Sequence, residues 1–120
     1  MMTNLFWVGI GGAAGSMARY LCQRALNADF PYGTLAVNVI GCLLIGVLWA
    51  AVSRNSLTET YRLLLMTGFC GGFTTFSAFS YEGIQLLTQG RTVSFILYTV
   101  VSVAAGLVAT FAGYKLFTVR

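Results

Sequence analysis

The sequence predicts an all-α integral membrane protein with four transmembrane helices, the third of them broken. Three observations carry this. Of 120 residues, 58% are hydrophobic and only 8% are charged, against roughly 25% charged in soluble domains. The apolar residues fall into four runs, each near the roughly 20 residues that a helical span requires. Only helices or closed barrels cross lipid, and these runs are too long and continuous for barrel strands. Spans and short connectors use up the chain, which reads as a single four-span membrane domain over 1–120.

The first span runs from about Asn4 to Leu26. It continues past signal-peptide length and lacks a basic start, so it is read as a span. Gly11 and Gly15 lie four apart, and Gly12 and Ser16 repeat that spacing. The second span covers about Gly33 to Val52, thinned at Gly41 and Gly46. The third covers about Tyr61 to Leu87, with Gly68 and Gly72 again four apart. In the fourth, about Thr92 to Phe117, Thr99, Ser102, Gly106, Thr110 and Gly113 form one stripe. Small residues let membrane helices approach closely, and hydroxyls bond across the contact. The stripes therefore predict a tight bundle. The connectors "NADFPY", "SRNSLTE" and "TQGR" are short and hold turn formers or charges.

Charge says little about orientation. Arg54, Arg62, Lys115 and Arg120 fall on one side and Arg19, Arg24 and Arg91 on the other. Basic residues normally set orientation, and a near-even split lets a chain insert both ways up. Such a chain can pair with itself as an antiparallel homodimer. The net charge of +4 fits loops that meet anionic headgroups of the lipid bilayer. No basic cluster suggests nucleic acid. Cys22, Cys42 and Cys70 are widely spaced in apolar surroundings, which fits neither a disulfide framework nor a metal site.

Catalysis is a poor fit, and the protein is read as a non-enzyme. Histidine is absent, and Glu59 and Glu82, the only glutamates, lie in different segments. Three polar residues within the spans instead require a reason: Arg19, Asn38 and Glu82. Ionisable groups in a membrane are costly and mark function by default. The plainer alternatives are snorkelling for Arg19, solvation near a span end for Glu82, and a structural cross-helix hydrogen bond for Asn38.

The stretch "GFCGGFTTFSAFSYEG", residues 68–83, is the most unusual. Mid-helix glycines destabilise by roughly 1 kcal/mol each against alanine, and two β-branched threonines follow. A break at Gly71 to Thr75 is expected, with exposed carbonyls able to hold a cation. Phe76 and Phe79 then share a face, and Ser77 lies close by. Phenyl edges are positive, so edges backed by hydroxyls suit a small anion; simple packing of the rings is the alternative.

Three segments, "GGAAGSMARY", "GTLAVNVIG" and "GFCGGFTTFSAFSYE", resemble the signatures of the Fluc (CrcB) fluoride channel family, in that family's order and over essentially the whole chain. The resemblance implies an antiparallel dual-topology homodimer in a microbial cell membrane that exports fluoride passively. It implies two pores along the subunit interface and a structural sodium ion at the centre, held by backbone carbonyls matching Gly71 and Thr74. The pore positions match Asn38, Phe76, Phe79 and Ser77, with Thr110 or Ser102 from the fourth helix and Glu82 near the pore end. Arg19 matches the family's first-span arginine. The family usually reads "TTFSTF" or "STFSTF" where this chain has Ala78, so one hydroxyl of the polar track is missing. A small dual-topology multidrug/proton antiporter would share the layout. It is expected to need a carboxylate deep in its first span, and none is present here. A purely structural membrane subunit would explain the glycines but not Asn38 together with the Phe–Ser array.

Overall fold

A computed structural model describes residues 1–118, so Arg120 in the charge count above lies outside the described residues. The described chain is all helical, in the order α1 (Met2–Leu26), α2 (Tyr32–Ser53), α3 (Glu59–Arg62), a π-helical stretch (Leu63–Cys70), α4 (Gly71–Phe73), α5 (Phe76–Thr88) and α6 (Thr92–Thr118). The helices stand side by side in a body of 48 × 34 × 22 Å. Among the described residues, three stretches are long and apolar enough to cross a membrane: Tyr32–Ser53, Glu59–Thr88 and Thr92–Thr118. The fourth expected span, α1, has the length at 25 residues, but it is less apolar and is not among those three.

Local chemistry sets the ends of several elements. Past α2, the Ser56 N–H donates to Ala51 O (2.9 Å) and the Asn55 N–H to Val52 O (3.0 Å). Past α5, Arg91 and Gly90 repeat the pattern on Leu86 and Leu87 (2.9 and 3.1 Å). Both are Schellman closures, which need a left-handed residue just beyond the helix. Asn55 (φ 54°) and Gly90 (φ 77°) supply it. Thr58 caps α3 by accepting from the Tyr61 N–H, and Thr75 caps α5 by accepting from the Ala78 N–H.

The expected tight packing is present, and its partners are main-chain atoms. α1 lies along the π stretch and α2 along α6. A side chain at Gly11 would run into Leu64 O, and one at Gly15 into Phe69 O. At Gly46 it would meet Thr110 O. Such contact is how membrane helices gain dispersion energy when lipid offers no hydrophobic drive. The interior is small: the buried apolar residues are Val37, Ala50, Cys70, Phe73, Leu86 and Tyr98. Long apolar side chains such as Ile96, Val100, Leu107 and Phe111 of α6 face outward, as a multi-pass membrane protein requires.

The π stretch was not legible in the sequence. Such winding is rare and often accompanies functional sites. Here it delivers the chain directly into the break. Gly15→Leu should place its side chain against the Phe69 carbonyl and destabilise the fold by on the order of 1–3 kcal/mol. Gly9, with nothing within 4 Å of a new Cβ, should accept alanine unchanged. Thermal melts of the two variants in detergent micelles check this.

Candidate functional site

The site is organised by the break between α4 and α5, inside the Glu59–Thr88 stretch. α4 ends at Phe73, and Thr74 (φ −85°, ψ 154°) and Thr75 (φ −151°, ψ 118°) are extended. Backbone groups released from a helix have no water to turn to in lipid. Side chains from other helices answer them. Asn38 clamps Thr75 at two points: its Oδ1 accepts the Thr75 N–H (2.7 Å) and its Nδ2 donates to Thr75 O (3.1 Å). Arg19 Nε donates to Gly72 O (3.1 Å). The Thr74 hydroxyl donates to Cys70 O (2.9 Å), and its methyl group fills the notch left by Gly41.

Gly71 and Thr74 are among the residues whose carbonyls lose their helical donors at the break. In a continuous helix the Thr75 N–H would serve Gly71 O and the Ala78 N–H would serve Thr74 O. Here the first goes to Asn38 Oδ1 and the second to Thr75 Oγ1. Gly71 and Thr74 are the two positions expected to present oxygens to a cation, and hard cations take oxygen ligands.

An apolar cavity of ≈ 390 Å³ lies against the break. Asn38, Phe76, Phe79, Ser102, Gly71 and Thr74 all line it. Asn38, half-buried, keeps one amide hydrogen beyond the one given to Thr75, since its nitrogen carries two. The Ser102 hydroxyl is buried and has no partner among the described residues, a state that costs about 1–3 kcal/mol unless water or a ligand relieves it. The α5 N-terminus begins at Phe76 and brings a partial positive charge. Phe76 and Phe79 sit 5.6 Å apart between centroids, and Phe79 leans on buried Tyr98 at 5.2 Å. Phe76 is 80% exposed in the single chain.

Other expected site residues fall elsewhere. Ser77 is exposed, 3.2 Å from Thr75 Oγ1, and does not line the cavity. Thr110 also lies off it and donates to Cys42 O (3.1 Å), holding α6 to α2. Ala78 contributes its backbone to the α5 cap, which any residue there could do. Arg19 and Glu82 line a second, more polar pocket of ≈ 770 Å³, together with Gln23, Asn27 and Arg91.

Glu82 is not simply solvated. The fully buried Thr34 hydroxyl donates to it (2.6 Å to Oε1), as does Asn27 Nδ2 (3.0 Å to Oε2). Gln23 Nε2 donates to the Thr34 oxygen (3.0 Å), and Arg19 Nη1 to Gln23 Oε1 (3.2 Å). Gln23, Asn27 and Thr34 were missed by sequence reading. A glutamine late in the expected first span and an asparagine opening the connector "NADFPY" were the available signal.

The sequence profile of the family described as CrcB-like protein, Camphor Resistance (CrcB), matches residues 6–114. A fluoride-specific ion channel FluC of Phocaeicola vulgatus is 43% identical, covering 93% of this chain and 96% of that protein. Proteins of the same name from Flavobacterium psychrophilum and Rhizobium leguminosarum bv. trifolii are 42% and 46% identical, each covering 93% of this chain and 94% of theirs. A profile match over nearly the whole described chain, joined by full-length relatives, establishes that the chain belongs to the CrcB-like family.

Proposed function

We propose that the protein is a fluoride-selective channel through which fluoride leaves a microbial cytoplasm passively. In this reading it works in the cell membrane as an antiparallel homodimer, with two pores along the subunit interface and a structural sodium ion at its centre. The observation that carries the reading is near-full-length identity to relatives named fluoride-specific ion channels. An ion channel of this kind is not an enzyme.

The site's geometry supports it. Fluoride binds water tightly, so a path must offer donors in exchange. The free amide hydrogen of Asn38, the unpartnered Ser102 hydroxyl and the positive end of α5 are donors around one cavity. Phenyl edges of Phe76 and Phe79 add weaker contacts. Several weak sites suit conduction, since the ion must also leave. In this reading Ser77 and Thr110 belong to the polar track although neither lines the cavity and the Thr110 proton is given to Cys42 O, and Arg19 and Glu82 stand at its wider mouth. A bound sodium ion would add a fixed positive charge at the break, held by Gly71 and Thr74 carbonyls whose helical donors are spent elsewhere.

Architecture supports the remaining parts. α1, at 25 residues, is about 37 Å long and packs along the third span, so it is read as the fourth crossing. The near-even basic count favours insertion in both directions. A phenyl ring as exposed as Phe76, beside an open cavity, fits a wall completed by a second copy.

Purified protein in liposomes should release fluoride and retain chloride in an ion-electrode efflux assay; well-inserted protein without fluoride efflux would defeat the channel reading. Phe79→Ile should slow that efflux by at least about tenfold, roughly 1.4 kcal/mol of barrier, while the dimer still forms. Undiminished flux would remove the ring pair from the path. Reporters fused to the C-terminus should be found on both membrane faces. A single-sided signal would argue against the antiparallel dimer.

A further inference from the structure

Asn27 uses its two side-chain atoms for two separate tasks. Its Oδ1 accepts the N–H groups of Gly33 (2.7 Å) and Thr34 (3.2 Å). It thereby caps α2 from outside, where the N-cap residue Pro31 makes no side-chain cap bond. Its Nδ2 donates across to Glu82 Oε2 (3.0 Å) and lies 3.5 Å from Thr34 Oγ1. The cap therefore fixes the amide plane, and the fixed plane aims the donor at Glu82.

Glu82 shares its pocket with Arg19, Arg24 and Arg91. Arg19 is held by Gly72 O and Gln23 Oε1 and Arg91 by Asp29 O, and among the described residues none of the three pairs with a carboxylate. The donors on Glu82 at the start of α2 are Thr34 and Asn27. Thr34 has a single proton to give. Asn27 supplies the second donor.

We infer that Asn27 is a positioning residue for the channel: it pins the Glu82 carboxyl against the start of α2 and keeps it from neutralising the arginines of the wider mouth. This rests on the fluoride-channel reading for its consequence, not for its geometry. Held back, Glu82 leaves the guanidinium groups of the pocket available to draw an anion in. Released, it would pair with them and weaken that attraction. Gln23 and Arg19 continue the same chain of hydrogen bonds to Gly72 O at the break.

Asn27→Asp separates the two tasks. It keeps an oxygen able to cap α2, since Asp and Asn cap about equally well, and it deletes the donor to Glu82. Asn27→Asp sets a second carboxylate beside Glu82 and should melt below the wild type; in the Glu82→Gln background, where that repulsion is gone, it should melt above Asn27→Ala. The chain has two glutamates, Glu59 and Glu82, so protein labelled with ¹³C-glutamate shows two labelled carboxyl signals in the infrared. Glu82→Gln assigns them. In Asn27→Asp the Glu82 band should shift while the Glu59 band stays, and fluoride efflux should fall about tenfold further than the same substitution lowers it in the Glu82→Gln background, where only the added charge acts. An unmoved Glu82 band overturns the positioning role, and so does a moved band with an efflux loss no greater than in the Glu82→Gln background. If wild-type liposomes pass no fluoride, the channel reading fails and the band still decides whether Asn27 positions Glu82.

Discussion

The rest of the structure is arranged around a stretch of non-helical backbone at Thr74 and Thr75, inside a segment built to cross lipid. Each released peptide group in such a place costs several kcal/mol unless something answers it. The Asn38 amide answers two groups of one residue, in the way a neighbouring strand would. Arg19 answers a third on Gly72. These two residues come from α2 and α1, so the break cannot be kept unless α1, α2 and the Glu59–Thr88 stretch are packed in register. A local irregularity thus becomes a constraint on the whole bundle.

The glycines meet that constraint. Gly41 admits the Thr74 methyl, which sets the break's depth against α2. Gly11 and Gly15 let α1 approach closely enough to bring Arg19 to Gly72. Besides the buried Tyr98 hydroxyl, the groups left unanswered include the carbonyls of Gly71 and Thr74, the Ser102 hydroxyl and one hydrogen of Asn38, all on residues that line one cavity. A site for ions is, in this sense, the residue of the packing problem: the polar groups that the fold does not consume.

Much of this was legible in the sequence because its causes are local. The apolar runs gave the helices, and "GGFTT" gave the break, since glycine and β-branched residues weaken a helix wherever they sit. Asn38 stood out because an amide in an apolar run needs a partner. The π winding of Leu63–Cys70 was not legible, because an ordinary apolar sequence adopts it only under the pull of its neighbours. The tie between Asn27 and Glu82, 55 positions apart, was equally hidden. It depends on the first connector folding back over the start of α2. Ser102 and Thr110 looked alike in the α6 stripe. Only packing shows that one hydroxyl is spent on Cys42 and the other is left over.

The closest helix contacts have a consequence for how this sequence can drift. Gly11, Gly15, Gly46 and Gly113 press on carbonyl oxygens of Leu64, Phe69, Thr110 and Leu43. A carbonyl is common to all twenty amino acids, so the contact does not record which side chain its residue carries. Substitution opposite each glycine is therefore far freer than substitution of the glycine itself. The interlock is one-sided: the glycines hold the architecture still, while touched positions such as Leu43 and Leu64 remain open to change; Thr110 is the exception, tied by its own hydroxyl to Cys42 O.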